Sequence, residues 1–169
     1  MIVIGIDTAM RKTGYGVLRM NSATDIEILD CGVIHNSAKL LHSECLRRLS
    51  GGIRELIEGY HPDVASIESA FVSRNMRTGM ILSLARGAVI ATLAENKIPV
   101  YEYSPKTAKR AATGNGSADK QQVATVIASI CRLDVTDIPN DSTDALALAM
   151  CHGTLALSVG GDVLLSSPI

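Results

Sequence analysis

Residues 1–6 form a run of large aliphatic side chains interrupted only by Gly5 and closed by the acid Asp7. A short apolar run without polar alternation is the signature of a strand buried on both faces. Such a strand belongs in the middle of a sheet covered by helices, which leaves the carboxylate at its end on the rim of that sheet.

The rest of the chain supplies the neighbours. Residues 13–20 and Ile26–His35 read as two further strands, joined by the turn-like Asn21-Ser22-Ala23-Thr24, so the first three strands make an antiparallel meander. His42–Tyr60 carries Leu46, Leu49, Ile53, Leu56 and Ile57 at helical spacing, weakened at Gly51-Gly52 and stopped by His61-Pro62. Val64–Glu68 is a fourth strand that again ends on an acid. A polar loop over 69–77, a helix over 78–95 and a strand over 99–103 follow. Ser104-Pro105 opens a short helix, residues 112–117 form a loop, and 119–132 form the next helix. Asn140 is placed to cap a last helix over 141–155. The order predicts an α/β fold with a mixed five-stranded sheet, three antiparallel strands and then two parallel ones, flanked by helices. It predicts one domain over residues 1–156 and a loosely ordered Gly/Ser-rich tail over 157–169.

Composition narrows the function classes. There is no Trp and one Phe among 169 residues, so the core is aliphatic. Cys31, Cys45, Cys131 and Cys151 show no paired spacing, which argues against a structural zinc site and suits a reducing, cytoplasmic setting. The N-terminus lacks the basic region of a secretion signal. The longest apolar stretch, 78–94, contains Arg86 and falls short of a membrane span. The net charge is −1, yet residues 69–120 hold eight basic against three acidic residues, and residues 133–169 hold five acids and no base. A protein that grips phosphates with one region and metal ions with another divides its charge in this way, as does chance clustering of solvated side chains.

Four acids stand where the elements place them together. Asp7 and Glu68 end strands; Asp141 and Asp144 lie three apart at the start of the last helix, on one face of its first turn. Singly, each suits a helix cap, a surface charge or a helix dipole. Jointly they form a carboxylate cluster that requires a cation or a raised pKa. Oxygen ligands without His or Cys select Mg²⁺ or Mn²⁺, and two such ions about 3.5–4 Å apart serve in-line displacement at a phosphodiester.

The segments IGID and TGYGV, PDVASIESAFVSRN, ARG at 85–87, GNGSADKQQV and NDSTDALALAMCH resemble, in order and spacing, the motifs of the RuvC-type Holliday junction resolvases. They extend from position 4 to 152. The resemblance implies an RNase H-like fold and a nuclease that cuts four-way DNA junctions by paired, symmetric nicks during recombination and repair. It implies two Mg²⁺ per site, replaceable by Mn²⁺, held by Asp7, Glu68, Asp141 and Asp144. It makes Lys109 and Lys120 DNA contacts near the scissile phosphate and Phe71 an aromatic stacked on bases at the junction. Arg74 and Arg77 follow Phe71 in a polar loop, and Lys106 and Arg110 flank Lys109, so all four join the expected DNA surface. The resemblance also favours a homodimer, and Gly79, Ser83, Gly87 and Ala91 form a small-residue stripe suited to close helix packing. The resemblance also implies a branch-migration helicase complex as a partner. One departure is plain: Thr8-Ala9 stands where the family usually has Pro-Gly, which raises the question of the turn after Asp7. The competing readings are an actin-like ATP-binding protein, for which a second phosphate motif is missing, a junction-binding module without chemistry, and a relative acting on RNA.

Overall fold

The computed structural model describes residues 1–70, 75–132, 134–158 and 165–169. Its strands are β1 (Ile2–Asp7), β2 (Lys12–Met20), β3 (Ile26–His35), β4 (Val64–Glu68) and β5 (Val100–Tyr103). The helices are α1 (His42–Tyr60), α2 (Met76–Glu95), α3 (Pro105–Thr113), α4 (Lys120–Cys131) and α5 (Thr143–Ala156), with short 3-10 turns at Val135–Asp137 and Asn140–Ser142. The sheet runs β3-β2-β1-β4-β5, antiparallel within β1–β3 and parallel from β1 through β4 to β5. β1 is central, as its unbroken apolar run requires.

Two aliphatic layers sandwich the sheet. Ile4, Ile6, Val17, Ala65 and Ile67 pack under α1 and α2 with Leu49, Ile53, Val89 and Leu93. Val3, Leu18, Met20 and Val64 pack under α3, α4 and α5 with Val123, Ile127, Leu146 and Met150. Side chains alternate along a strand. Val3 therefore points to the second layer, and so do Gly5 and the terminal Asp7; Val64 and Glu68 do the same on β4.

Local signals account for most boundaries. Ser104 caps α3 by accepting from Thr107 N at 3.1 Å, ahead of Pro105. Asp119 and Gln122 form a reciprocal capping box at α4. His61, at φ 48°, ends α1 in the left-handed conformation just before Pro62. Three expectations need correction. α2 begins at Met76 rather than 78, because the Asn75 side chain accepts from Thr78 N and caps the helix earlier. At 20 residues α2 is long and apolar enough to cross a membrane by length and composition, contrary to the shorter stretch read from the sequence. It nevertheless buries Ala85, Val89, Thr92 and Leu93 against the protein's own core. Finally, the N-cap position of α5 is Ser142 rather than Asn140: Asn140 begins the 3-10 turn ahead of the helix, α5 starts at Thr143, and Ser142 makes no side-chain cap.

α5 lies directly on the sheet. A Cβ on Gly5 would overlap Ala145 O and come within 2.8 Å of Ala149 N; one on Gly14 would overlap Asp141 O; one on Gly16 would sit 2.5 Å from Leu146 Cδ2. These three glycines allow the start of α5 to approach β1 and β2 backbone to backbone. At the far end of the chain, Ile169 N donates to Val100 O on β5 at 3.0 Å.

Candidate active site

β1 and β4 are parallel neighbours in register from Val3↔Val64 to Ile6↔Ile67, so their C-terminal residues, Asp7 and Glu68, stand side by side. The glycine floor brings α5 down beside them, with Asp144 in its first turn. Burial raises the Asp7 pKa, and the charges of Asp144 and Asp141 raise it further, against a lowering pull from Lys120. Burial likewise raises Glu68, helped by Asp7 and Asp144 and opposed by Arg86 and Lys120. Asp7, Glu68 and Asp144 therefore occupy one electrostatic environment in which negative charge is under-compensated.

Asp141 stands further out. It lies in the 3-10 turn rather than on α5, its side chain is half exposed, and Lys12 Nζ holds its Oδ2 at 3.3 Å. Asp144 is more enclosed and is bound by Lys120 Nζ at 2.7 Å. Among the described residues no three acidic, His or Cys side chains close around one point as a finished metal cage. The lysine amines take up two of the four carboxylates, while Asp7 and Glu68 form no ion pair among the described residues. Four carboxylates facing two paired lysines leave net negative charge in a partly buried site. That donor set, all hard oxygen, fits a divalent cation once the lysines swing aside.

The turn after Asp7 answers the question raised by Thr8-Ala9. Neither residue has a positive φ. Thr13, fully buried on β2, closes the turn by donating its hydroxyl to Ala9 O at 2.6 Å and accepting from Ala9 N at 3.1 Å. The backbone does not require glycine here.

Glu68 forms the wall between two clefts. One, of about 280 Å³, is lined by Asp7, Thr8, Ala9, Glu68, Ser83 and Arg86. The other, of about 230 Å³, lies between α3 and α5 and includes Glu68, Lys109, Asp144 and Pro105. A larger cleft of about 610 Å³ between β3 and α1 contains none of the four acids, so size does not mark the site. Lys109 is thus brought to the carboxylates, Lys120 reaches them directly, and Lys106 and Arg110 are exposed on α3 nearby. Gly116 packs against Lys106, with room for no Cβ, which seats the α3–α4 loop on α3. Arg77 is exposed in the first turn of α2. Phe71 and Arg74 lie outside the described residues. On α2, Gly79 is half-buried while Ser83, Gly87 and Ala91 are exposed, next to Met80 (67% exposed) and Leu84 (51%). Among the described residues this apolar face is left uncovered.

Sequence reasoning missed Lys12, the counter-charge of Asp141, and Thr13, the closure of the turn. Both open the strand paired with β1, and that adjacency was the available signal.

A family model described as crossover junction endodeoxyribonuclease RuvC matches residues 3–152. The RuvC endodeoxyribonuclease of Roseiflexus sp. (strain RS-1) is 42% identical over 149 residues, 88% of each chain. That of Chlorobaculum parvum is 40% identical over 161 residues, 95% of this chain and 86% of its own. Among solved structures, T. thermophilus RuvC in complex with a Holliday junction substrate superposes with a TM-score of 0.89 at 28% identity, covering 100% of this chain and 99% of that one. The yeast mitochondrial Holliday junction resolvase, at 14% identity and a TM-score of 0.66, shares the fold over 88% of this chain and 76% of its own.

Proposed function

This chain belongs to the RuvC family of crossover junction endodeoxyribonucleases, and from that premise we propose that it resolves four-way DNA junctions by hydrolysing one phosphodiester on each of two opposed strands. The fold is RNase H-like and the enzyme is a nuclease acting on DNA, serving recombination and repair. The observation that carries the reading for this chain is the meeting of Asp7, Glu68 and Asp144 at adjoining ends of β1, β4 and α5, with raised pKa values at the first two.

Asp7, Glu68 and Asp144 would hold the metal, with Asp141 completing the set from its outer position. The ion is Mg²⁺, two per site, with Mn²⁺ as a substitute; when bound, such ions activate water and stabilise charge on the leaving oxygen. Water attacks phosphorus, the bond from phosphorus to the 3′ oxygen breaks, and the products carry a 5′-phosphate and a 3′-hydroxyl. Lys120, released from Asp144, and Lys109, on the cleft wall, would hold the non-bridging phosphate oxygens. Lys106, Arg110 and Arg77 extend a basic surface along the backbone away from the cut. Phe71 and Arg74 follow Glu68 closely in sequence, which supports base stacking and phosphate contact as their roles.

Two cuts related by symmetry require two sites. The exposed stripe of Ser83, Gly87 and Ala91, with Gly79, Met80 and Leu84, supports a two-fold homodimer through α2. Residues 1–156 act as one catalytic domain with 157–169 as its tail, in the cytoplasm, alongside a branch-migration helicase complex.

The test is incubation with a labelled four-way junction and a matched linear duplex, with and without Mg²⁺. Paired nicks in the junction alone, dependent on Mg²⁺ and lost in Asp7→Asn, are expected. Junction binding without cutting would replace this reading with a non-catalytic module, and cutting of RNA in preference to the junction would change the substrate.

A further inference from the structure

Arg86 sits near the middle of α2, on a helix that is otherwise almost wholly uncharged between Arg77 and Glu95. Its side chain is only 14% exposed. A guanidinium placed there loses hydration and is tolerated only when its donors are satisfied. The structure engages its two terminal nitrogens with acceptors on two different strands. One is the carboxylate of Glu102 on β5, in an ion pair. The other is the backbone carbonyl of Glu68 at the end of β4. Ile67 pairs with Glu102 and Glu68 with Tyr103, so Arg86 clamps the two parallel strands at the same level. It also lines the cleft shared by Asp7 and Glu68.

We propose that Arg86, held by Glu102, is the positioning residue that fixes Glu68 for metal binding, a role that rests on the carboxylate reading above. The ladder ends where this is needed: Ser69 N donates to Tyr103 O at 2.9 Å, and among the described residues no further β4–β5 pairing follows. At that end of the strand the Glu68 carbonyl is tethered from outside the sheet by Arg86. A ligand carboxylate whose backbone drifts loses the geometry that a hard cation demands, even though its side chain is intact. The planar fork of arginine reaches two acceptors at a fixed spacing; a lysine ammonium in its place keeps the charge and loses that geometry. Glu102 is not itself among the proposed ligands, so its effect on the metal passes through Arg86.

The experiment compares the full-length protein with Arg86→Lys and with Glu102→Gln, the second removing a charge without changing shape. Four quantities are read: the Mn²⁺ binding isotherm without DNA, junction affinity without divalent ions, the denaturation midpoint, and kcat and KM at saturating Mg²⁺. Supporting residues around metal ligands typically alter metal affinity or activity by roughly 10–100-fold, and a loss in that range is expected for both variants. Junction affinity without divalent ions should stay unchanged, and on saturating Mg²⁺ kcat should fall while KM holds. Variants that lose stability but bind Mn²⁺ as wild type does would show Arg86 to be a structural clamp only, and the proposal would be overturned. If the wild-type protein itself binds no Mn²⁺ and cuts no junction, the metal-dependent nuclease reading fails first. If it does both and the variants match it, this proposal alone fails.

Discussion

Replacing Gly5 with alanine adds one methyl group at the point where α5 presses on β1. The new Cβ would meet Ala149 N at 2.8 Å and Ala145 C at 3.0 Å, and would overlap Ala145 O, whereas ordinary contact begins at 3.4 Å. All three neighbours are helix backbone, so no side-chain rotation relieves them. α5 must lift by about 0.6 Å to restore ordinary contact at Ala149 N, and by more at Ala145 O. Overpacking of this kind costs about 1–3 kcal/mol. The lift also carries Asp144 away from Asp7, and a misplacement near 1 Å costs on the order of 10²-fold in rate. Gly5→Ala should therefore lower the urea midpoint and slow single-turnover junction cleavage more than the loss of folded protein explains. Gly59→Ala is the control: a Cβ there meets nothing within 4 Å, in the last turn of α1. It should gain up to about 1 kcal/mol from helix propensity and cut normally. A Gly5→Ala variant with wild-type midpoint and wild-type rate would refute the claim that glycine contact seats α5 at the site.

Other expectations follow from the charges and the exposed helix. The Asp7 pKa is raised above its ordinary 3.8, so the folded state takes up protons more readily than the unfolded chain, and stability is lost as pH rises through the raised value. Metal-free Asp7→Asn should accordingly have a higher urea midpoint than wild type at neutral pH, while cleaving nothing. His152 behaves oppositely: burial pushes its pKa down to about 4 from 6.5, and its Nδ1 pairs with the Tyr103 hydroxyl at 2.8 Å. The unfolded chain is protonated first, so stability should fall as pH drops from about 6.5 to about 4, a slope that His152→Gln flattens in pH-resolved melts. His152→Ala should cost about 1–3 kcal/mol by leaving that buried hydroxyl unpaired. A Cβ on Gly87 meets nothing within 4 Å, so Gly87→Ala should spare the monomer fold. It should weaken self-association in sedimentation equilibrium if the α2 stripe joins two copies; unchanged association would remove Gly87 from the interface.

Much of the site was legible because strand chemistry is local. A β-branched run that stops on an acid places that acid at a strand end, and the boundaries of β3, α1 and β4 follow from residue pattern alone. The alternation of side chains then puts Asp7 and Glu68 on one face. Asp144 was legible as a helix-start acid, but Asp141 was not separable from it. A 3-10 turn and an α-helical first turn share the same local sequence signals, and the start of α5 is seated by packing on Gly14 and Gly16, with Asn140 in the 3-10 turn ahead of it.

The sequence by itself determined which acids reach the rim of the sheet, since that depends on the period of two along each strand. Only the tertiary structure decided which charges meet them. Lys12, Lys120 and Arg86 come from three separate elements, 56, 52 and 18 residues respectively from Glu68 in the chain, and nothing local specifies where their long side chains end. Their partners are chosen by the packing of α2, α4 and α5 across the sheet, because a flexible cation pairs with whichever carboxylate the fold delivers within reach.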